Sequence, residues 1–421
     1  MSNRNAKRAA ETAKKHPKLF TAITVILVII IVAAVILWYF KPEVFDFLLG
    51  KDEDISGQTP DAPPSGAQSE IAEAGFSIHF LELGNKSCGD SILIDCGDTE
   101  VLIDAGSQQS SAEVIQEYID KYCDDGILEY VITTHADTDH ISAFVGTAGV
   151  EGILYHYSIG TLIKFDRSDK TTEIYSNYLA AVAHAEANGT KVYTAGQCYE
   201  QTGGAQRQYY LDEEQTLSIN ILYNKYYYES AANTEGEENN YSVVTLLTKE
   251  LPDGDKHFLF TGDLELEGEE ALVEYYKSVP ADKRTKYNIL PEVELYKAGH
   301  HGSKTSSNEV LMDVIKPKAV AVCCVAGSTQ YTVESLNTFP TQAMIDHVGK
   351  YTDKIYVTSL ATGLSEFKNG KFASRFFGGY TSMNGTIVFY WSADGLKLWC
   401  SNNDTILKDT EWFKQYRTWK Y

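Results

Sequence analysis

Residues 128–140 read LEYVITTHADTDH, an apolar segment that runs directly into a group of polar residues. The first seven residues predict a short buried strand. The next six place two imidazoles and two carboxylates close together, on His135, Asp137, Asp139 and His140. Because functional side chains are often held on loops at strand ends, we expect these four to share one small volume.

Two further polar groups follow predicted strands later in the chain. Gly262-Asp263 follows a strand at 257–261, and HHGSKTS at 300–306 follows a strand at 292–297. Neutral imidazole and ionised carboxylate are ligands for Zn²⁺, Mn²⁺ or Fe. A divalent cation would also remove the repulsion among several neighbouring acids. A solvated loop is the alternative for any one motif, but the ordered combination favours a metal site.

The ordered set resembles the metallo-β-lactamase superfamily, and within it the hydrolase domain of ComEC-type competence proteins and their stand-alone relatives. The usual H-x-H-x-D-H of the superfamily is H-x-D-x-D-H in that branch, as it is here. The resemblance covers about residues 76–400. The other matching segments follow in the same order: FLELG at 80–84, Gly89-Asp90, LIDAG at 102–106, NNYSVV at 239–244, FTGDLE at 260–265 and HHGS at 300–303.

This resemblance implies an α/β fold, the metallo-β-lactamase-like four-layer αββα sandwich, with two metals at one edge of the sheets. It implies that His135 and Asp137 serve one metal, that Asp139 and His140 serve the other, and that Asp263 bridges. Of the histidine pair, His300 is the expected ligand because it is nearer the strand, and His301 would face the substrate. Asp104 would be a carboxylate that orients ligand groups.

The expected reaction is hydrolysis of a phosphodiester, with two divalent ions, Zn²⁺ or Mn²⁺, as cofactors. Two cations can lower the pKa of a water, so that hydroxide is available near neutral pH, and can neutralise phosphoryl oxygens. Catalytic roles are expected for Asp139, His301 and Lys304. Substrate contacts are expected for Ser303, Ser306, Asn240 and Ser242, and the last two occupy the stretch where the superfamily has its third-motif histidine. The resemblance suggests DNA as the substrate.

Two other functions fit the same residues. One is a cell-envelope esterase that acts on phosphocholine-decorated teichoic acid, because related superfamily members act outside the cell. The other is a metal-free binding module on the same fold. Metal analysis separates the binding module from the enzymes, and product analysis separates the two enzymes.

Residues 19–40 read LFTAITVILVIIIVAAVILWYF, an uncharged run of 22 residues between Lys18 and Lys41. A helix of this length spans roughly 33 Å, enough to cross a bilayer core. Residues 1–41 hold seven basic residues and one acid. This bias predicts that residues 1–18 are cytoplasmic and that the catalytic domain is extracellular. A cleaved signal peptide is the alternative, but the apolar run exceeds the usual h-region.

The remainder divides by composition. We expect a flexible tether at 41–74, because its central part is rich in Pro, Gly, Ser, Ala and acids. The hydrolase domain is expected at 75–400, and residues 401–421 form an aromatic and basic extension. That extension either docks on a polyanion or the membrane surface, or packs on the body as a helix. The chain after residue 41 carries a net charge of −28, which excludes nonspecific binding of nucleic acid through its general field.

Overall fold

The computed structural model of the protein describes residues 65–229 and 237–421. Within those ranges, no helix is long and apolar enough to cross a bilayer. The predicted membrane span at 19–40, the basic segment at 1–18 and the part of the tether before residue 65 lie outside the described residues.

The first of two large mixed sheets has the strand order β20-β19-β1-β2-β3-β4-β7-β8. The pairs among β3, β4, β7 and β8 are parallel, and the other pairs are antiparallel. Its strands are β1 (Ser77–Phe80), β2 (Ile92–Asp95), β3 (Glu100–Ile103), β4 (Ile127–Thr133), β7 (Ser158–Lys164), β8 (Lys191–Thr194), β19 (Ile387–Ser392) and β20 (Gly395–Cys400).

The second sheet has the order β18-β15-β14-β13-β12-β11-β10-β9, with parallel pairs among β12, β13, β14 and β15. Its strands are β9 (Gln208–Tyr210), β10 (Leu217–Ile221), β11 (Thr245–Lys249), β12 (Lys256–Phe260), β13 (Leu295–Lys297), β14 (Val320–Ala326), β15 (Ile355–Thr362) and β18 (Gly379–Ser382). Two small hairpins pair β5 (Gly146–Thr147) with β6 (Val150–Glu151) and β16 (Phe367–Lys368) with β17 (Lys371–Phe372).

The helices occupy the connections between strands. The described α-helices are α1 (Ser65–Ala72), α2 (Ser111–Ile119), α3 (Thr138–Val145), α4 (Ile153–His156), α5 (Glu173–Ala187), α6 (Ala195–Glu200), α7 (Leu266–Ser278), α8 (Glu309–Ile315), α9 (Gln342–Gly349) and α10 (Glu411–Tyr416). Short 3₁₀ turns lie at Lys225–Tyr227, Glu238–Tyr241, Ala281–Lys283, Gly299–Gly302, Ser335–Asn337 and Leu407–Asp409.

The two sheets pack face to face between the helices. Alternate residues of a strand point to opposite faces, so each buried strand contributes to two layers. On β1, Phe80 faces the ring of Phe260 across the sheet interface, whereas His79 hydrogen-bonds the Tyr118 hydroxyl of α2. On β12, Phe258 contacts Phe76, the residue just before β1 of the first sheet, whereas Leu259 joins the apolar cluster of α7 and α8. The arrangement confirms the predicted α/β class, with helices outside two central sheets.

The parallel strands bring the polar motifs to one edge of this sandwich. Ile103 of β3 pairs with Ile132 of β4, and Phe260 of β12 pairs with Lys297 of β13. The loops that leave these four strands therefore begin at matching levels. A hydrogen bond of 2.9 Å from Val243 N to Thr134 O joins the two sheets at this edge. Functional side chains at the carboxyl ends of neighbouring strands can thus converge.

A short helix packs on the body at each end of the described residues. Helix α1 lies within residues predicted as tether, and its Ile71 packs on Val388 and Tyr390 of β19. At the carboxyl end, α10 packs on the body through buried Trp412 and Phe413.

The basic residues of the carboxyl-terminal extension bind within the protein. Lys414 pairs with Glu411, and Lys420 pairs with Asp346. Arg417 is buried and donates to the carbonyls of Thr338 and Pro340. The extension is therefore part of the fold, which favours the packed helix over the docking segment.

Candidate metal centre

The loop after β4 carries the first motif directly into α3. Asp137 precedes the helix, so Asp139 and His140 lie in its first turn. The His140 amide donates to the Asp137 carbonyl over 2.9 Å, which starts the helix. This short strand–helix junction brings the His135 and His140 rings to 4.1 Å between centroids.

Asp104, which directly follows β3, fixes the position of the first motif, residues 135–140, through hydrogen bonds. Its carboxylate accepts from the amide and hydroxyl of Thr134, over 2.7 and 2.6 Å. The same group lies 2.7 Å from His140 Nδ1. Asp104 can therefore accept the Nδ1–H of His140, and in the neutral ring this leaves the lone pair on Nε2, the atom that faces the cluster. Asp104 adopts φ 60°, a left-handed conformation that costs a non-glycine residue about 1 kcal/mol.

His301 enters the same cluster from the loop after β13. Its Nδ1 donates to the Cys323 carbonyl over 3.0 Å. Its Nε2 lies 3.3 Å from Asp139 Oδ2 and 3.5 Å from Asp263 Oδ2. On the other side, Asp263 Oδ1 lies 3.2 Å from His140 Nε2. Two imidazoles that follow strands of different sheets therefore point their Nε2 atoms at the Asp263 carboxylate, and His301 Nε2 also lies near Asp139.

The unpartnered atoms of this cluster fit a divalent cation. His140 Nε2, His301 Nε2 and Asp263 Oδ1 are buried and have no hydrogen-bond partner. Asp90, His140, Asp263 and His301 each offer a ligand atom, and these atoms lie within 4.8 Å of one another. Buried polar atoms are normally satisfied, so a convergent unsatisfied set of metal-ligand type indicates an ion site.

The pKa shifts of His140, His301 and Asp263 show the charge that such an ion would balance. Burial alone would lower the pKa of His140 and His301, but the surrounding carboxylates, Asp263 foremost, raise both pKa values well above 6.5. Burial opposes ionisation of Asp263 as well, yet the two imidazoles hold its pKa well below 3.8. The cluster thus carries an excess of negative charge that protons offset when no cation is bound.

A second position next to the cluster has fewer donors. The His135 pKa is lowered to about 4, by burial and then by His140, so its ring is neutral and its unpartnered Nε2 can bind a metal. The nearest carboxylate within ion-pair range is Asp137, whose Oδ2 lies 3.9 Å from that atom. Asp137 is partly exposed and also pairs with Lys170. At this edge of the sandwich, the described residues therefore present one compact donor set and, next to it, one looser set.

The geometry favours His301 as the metal ligand, whereas His300 is the ligand expected from the sequence. His301 is 1% exposed and belongs to the compact donor set. The His300 side chain is 24% exposed, its Nδ1 lies 3.2 Å from Glu265 Oε1, and its Nε2 is 3.9 Å from Asp263. The physical cause is the turn itself, because His300 and His301 both adopt positive φ, 46° and 52°. This strained turn swings the second ring inward and leaves the first in the cleft wall.

Lys297 and Asp90 form a buried pair beneath the cluster, and sequence reasoning gave neither of them a role. Lys297 is fully buried on β13, with its ammonium against Asp90 and 3.6 Å from Asp263 Oδ1. Asp90 also lies 3.2 Å from His301 Nδ1. Asp90 therefore contacts the Nδ1 side of the His301 imidazole, as Asp104 contacts the Nδ1 side of the His140 imidazole. The available signals were the Gly89-Asp90 turn and a lysine at the end of the strand predicted at 292–297.

A cleft of about 730 Å³ opens onto the cluster. Asp139, Asp263 and His300 line it, together with Ser303 and Lys304. In the described ranges, Lys304 has no carboxylate partner, so its charge faces the cleft unneutralised.

Three residues expected to contact substrate lie elsewhere. Ser306 is buried against Gly299. The Asn240 side chain accepts from the Glu265 amide, and the Ser242 hydroxyl accepts from the Asp263 amide, each over 3.0 Å. Asn240 and Ser242 therefore hold the loop that carries Asp263, because their side chains are committed to its backbone.

No protein family profile matches the sequence, and no curated protein matches it. Solved structures of metallo-β-lactamase-fold proteins do match. The metallo-β-lactamase fold protein YhfI from Bacillus subtilis is 11% identical, with a TM-score of 0.36 over 67% of this chain and 96% of its own. BJP-1, a subclass B3 metallo-β-lactamase of Bradyrhizobium japonicum, is 14% identical, with a TM-score of 0.29 over 55% and 79%. A β-lactamase from Chitinophaga pinensis is 13% identical, with a TM-score of 0.28 over 54% and 75%.

Proposed function

We propose that the chain is a membrane-anchored, extracellular metal-dependent hydrolase of the metallo-β-lactamase superfamily that cleaves phosphodiesters, with DNA or a related polymer as substrate. One observation carries the proposal. The unpartnered Nε2 atoms of His140 and His301 converge with Asp139 and Asp263 on the floor of a cleft that presents Lys304.

The compact set of Asp90, His140, Asp263 and His301 would hold the more tightly bound ion, and the Asp139 carboxylate lies next to it, 3.3 Å from His301 Nε2. His135 and Asp137 would hold a second ion more weakly, because they offer fewer donors and Asp137 also serves Lys170. Bound divalent ions supply Lewis-acid activation of water and of a phosphoryl oxygen. The carboxylate-rich donor set is suited to Mn²⁺ as well as Zn²⁺.

The cleft residues would bind and orient an anionic substrate. The body carries a strong negative charge, so a phosphodiester needs a local cation at the site. Lys304 provides one, and the adjacent Ser303 hydroxyl lies in the same wall. Both groups can donate hydrogen bonds to phosphoryl oxygens.

His300 would handle the proton of the leaving oxygen. Its ring lines the cleft, and its Nδ1 is directed at Glu265 Oε1. With Nδ1–H donated to Glu265, a protonated Nε2 can donate to an oxygen in the cleft. This assignment gives His300 the substrate-facing role expected from the sequence for His301.

The location rests on the sequence alone. The uncharged run at 19–40, with its basic flank before it, supports a single-pass anchor in the cell membrane. An extracellular site would act on polymers outside the cell.

The test is a substrate panel on the purified full chain in detergent, loaded with Mn²⁺ or Zn²⁺. We expect cleavage of single-stranded DNA and of small phosphodiesters, and a loss of about a thousandfold in the Asp139→Asn variant, as for removal of a metal-site group. Release of phosphocholine from teichoic acid without DNA cleavage would assign the envelope esterase instead. A chain that binds no metal under any condition would be a binding module.

A further inference from the structure

One exposed aromatic face lies at the rim of the cleft. Tyr331 is 48% exposed and lines the cleft, and its ring centroid lies 5.5 Å from that of Phe339. Phe339 is nearly buried and in turn lies 5.9 Å from the His300 ring and 6.3 Å from the His301 ring. The Phe339 ring therefore lies between the two histidine rings of the cluster and the Tyr331 ring, and Tyr331 packs on it.

The groups around Tyr331 are polar and uncommitted. Gln330 and Asn337 line the same cleft, and in the described parts of the chain neither side-chain amide has a hydrogen-bond partner. Lys304 completes the wall with its unpaired ammonium. Together, Gln330, Tyr331, Asn337 and Lys304 form what we term the rim subsite.

The chemistry of the rim subsite matches one ligand class. An exposed aromatic face stacks on nucleobases whatever their sequence. Asn and Gln amides hydrogen-bond base edges as both donor and acceptor. A lysine beside them suits the neighbouring phosphate.

A choline headgroup fits less well. Quaternary ammonium ions are bound by cages of several aromatic faces. Among the described residues that line this cleft, Tyr331 alone offers a largely exposed ring, because Phe339 is 9% exposed. The unpaired Lys304 would also repel a cation.

We propose that the rim subsite binds the base of the nucleotide next to the scissile phosphodiester, so that the substrate class is nucleic acid or a nucleotide diester. This inference rests on the proposed function and names its substrate. The nucleobase stacks on Tyr331, the two amides meet its edge, and Lys304 contacts the phosphate that enters the cluster.

Calorimetry on the full chain, loaded with Mn²⁺, tests the subsite without turnover. The probes are thymidine 5′-monophosphate, 2-deoxyribose 5-phosphate and phosphocholine. We expect the nucleotide to bind about tenfold or more tightly than the sugar phosphate, since stacking of one base is worth roughly 1–3 kcal/mol. Tyr331→Ala should abolish that preference, Tyr331→Phe should keep it, and Asn337→Ala should reduce it.

Tyr228 supplies the matched control, because it is 49% exposed and lies outside the cleft lining. Tyr228→Ala should leave the preference unchanged. Equal affinity of the wild type for nucleotide and sugar phosphate would overturn the proposal. A preference for phosphocholine that depends on Tyr331 would overturn it in favour of a choline site.

Turnover measurements on the same proteins separate this proposal from the proposed function. Thymidine 5′-(p-nitrophenyl phosphate) and ethyl p-nitrophenyl phosphate share a leaving group and differ only in the nucleoside. Tyr331→Ala should lower kcat/KM about tenfold for the first and leave the second unchanged. Failure of the wild type to cleave either ester would reject the phosphodiesterase, while the calorimetric preference would still decide the subsite. Equal losses on both esters would overturn the subsite alone.

Discussion

At the scale of single residues, the adjacent His300 and His301 lie in different environments, one in the cleft wall and one in the buried donor set. Both are histidines and both have positive φ, yet only His301 joins the buried donor set. His301 is anchored by the Cys323 carbonyl, which directs its Nε2 at Asp139. His300 is anchored by Glu265 at the cleft wall. Backbone geometry, and not residue type, therefore decides which ring can hold a metal.

The first prediction uses this pair as its own control. His301→Ala should lower metal affinity about tenfold to a hundredfold or more, because it removes one of four donors from the compact set. His300→Ala should leave metal content unchanged and lower kcat, because its ring lies in the cleft wall. Metal content by plasma mass spectrometry after dialysis, with kinetics on the same samples, checks both. Loss of metal in His300→Ala with retention in His301→Ala would reverse the assignment.

At the scale of elements, the Asp90–Lys297 pair joins the two sheets beneath the candidate metal centre. Asp90 comes just before β2 and Lys297 ends β13. Both are almost completely buried, and Lys297 also donates to the Gly262 carbonyl over 3.3 Å. Breaking such a pair is costly because the remaining charge stays in a low-dielectric interior.

The second prediction concerns removal of one partner or both. Lys297→Met should lower the free energy of unfolding of the metal-free chain by about 3–5 kcal/mol, because it strands the Asp90 carboxylate. The double variant Asp90→Asn, Lys297→Met should regain much of that loss, since neither charge is then stranded. Urea unfolding of the wild type, both single variants and the double variant gives the coupling energy. Additive losses would show that the pair contributes no coupling.

The third prediction concerns the contact between β1 and α2. His79 is fully buried, with Nε2 2.7 Å from the Ser77 hydroxyl and Nδ1 2.8 Å from the Tyr118 hydroxyl. Burial lowers the pKa of His79 from 6.5 to about 3. The unfolded chain therefore binds a proton at higher pH than the folded chain does. The stability that neutral His79 contributes is complete above pH 6.5 and is lost as the pH falls towards 3.

When the pH is lowered from 7 to 5, protonation linked to His79 should lower the free energy of unfolding by about 2 kcal/mol. His79→Gln should be less stable at pH 7 but should lose less on acidification. The exposed His184→Gln is the control. Urea midpoints at the two pH values measure the difference, and equal acid losses in wild type and His79→Gln would contradict the assignment.

At the scale of the whole molecule, the sequence predicts the α/β class and the convergence of distant motifs. Apolar strands that end in His, Asp or Gly-Asp are visible in the sequence, and parallel pairing brings such ends together. The burial of Lys297, the inward turn of His301 and the rim position of Tyr331 depend on packing between sheets and on one strained turn. No local pattern in the sequence encodes the inward turn of His301 or the rim position of Tyr331. The helix α1 was missed because a polar, Gly- and Ser-containing segment gives little periodic signal around the single Ile71.

The last prediction concerns the proposed membrane anchor at residues 19–40. A charged residue at the centre of a membrane-spanning helix makes the free energy of insertion less favourable by roughly 2.5–3.5 kcal/mol. We therefore expect the uncharged run of 22 residues to anchor the chain and two added charges to release it. The full chain should stay with membranes after alkaline carbonate extraction. A chain lacking residues 1–41, and the double variant Ile30→Arg, Ile31→Arg, should be extracted. Protease added outside intact cells should digest the catalytic body, because the basic flank at 1–18 favours a cytoplasmic amino terminus. Equal metal content in the anchored and released forms would show that the span serves location only. Extraction of the full chain by carbonate, as for the chain lacking residues 1–41, would rule out the anchor.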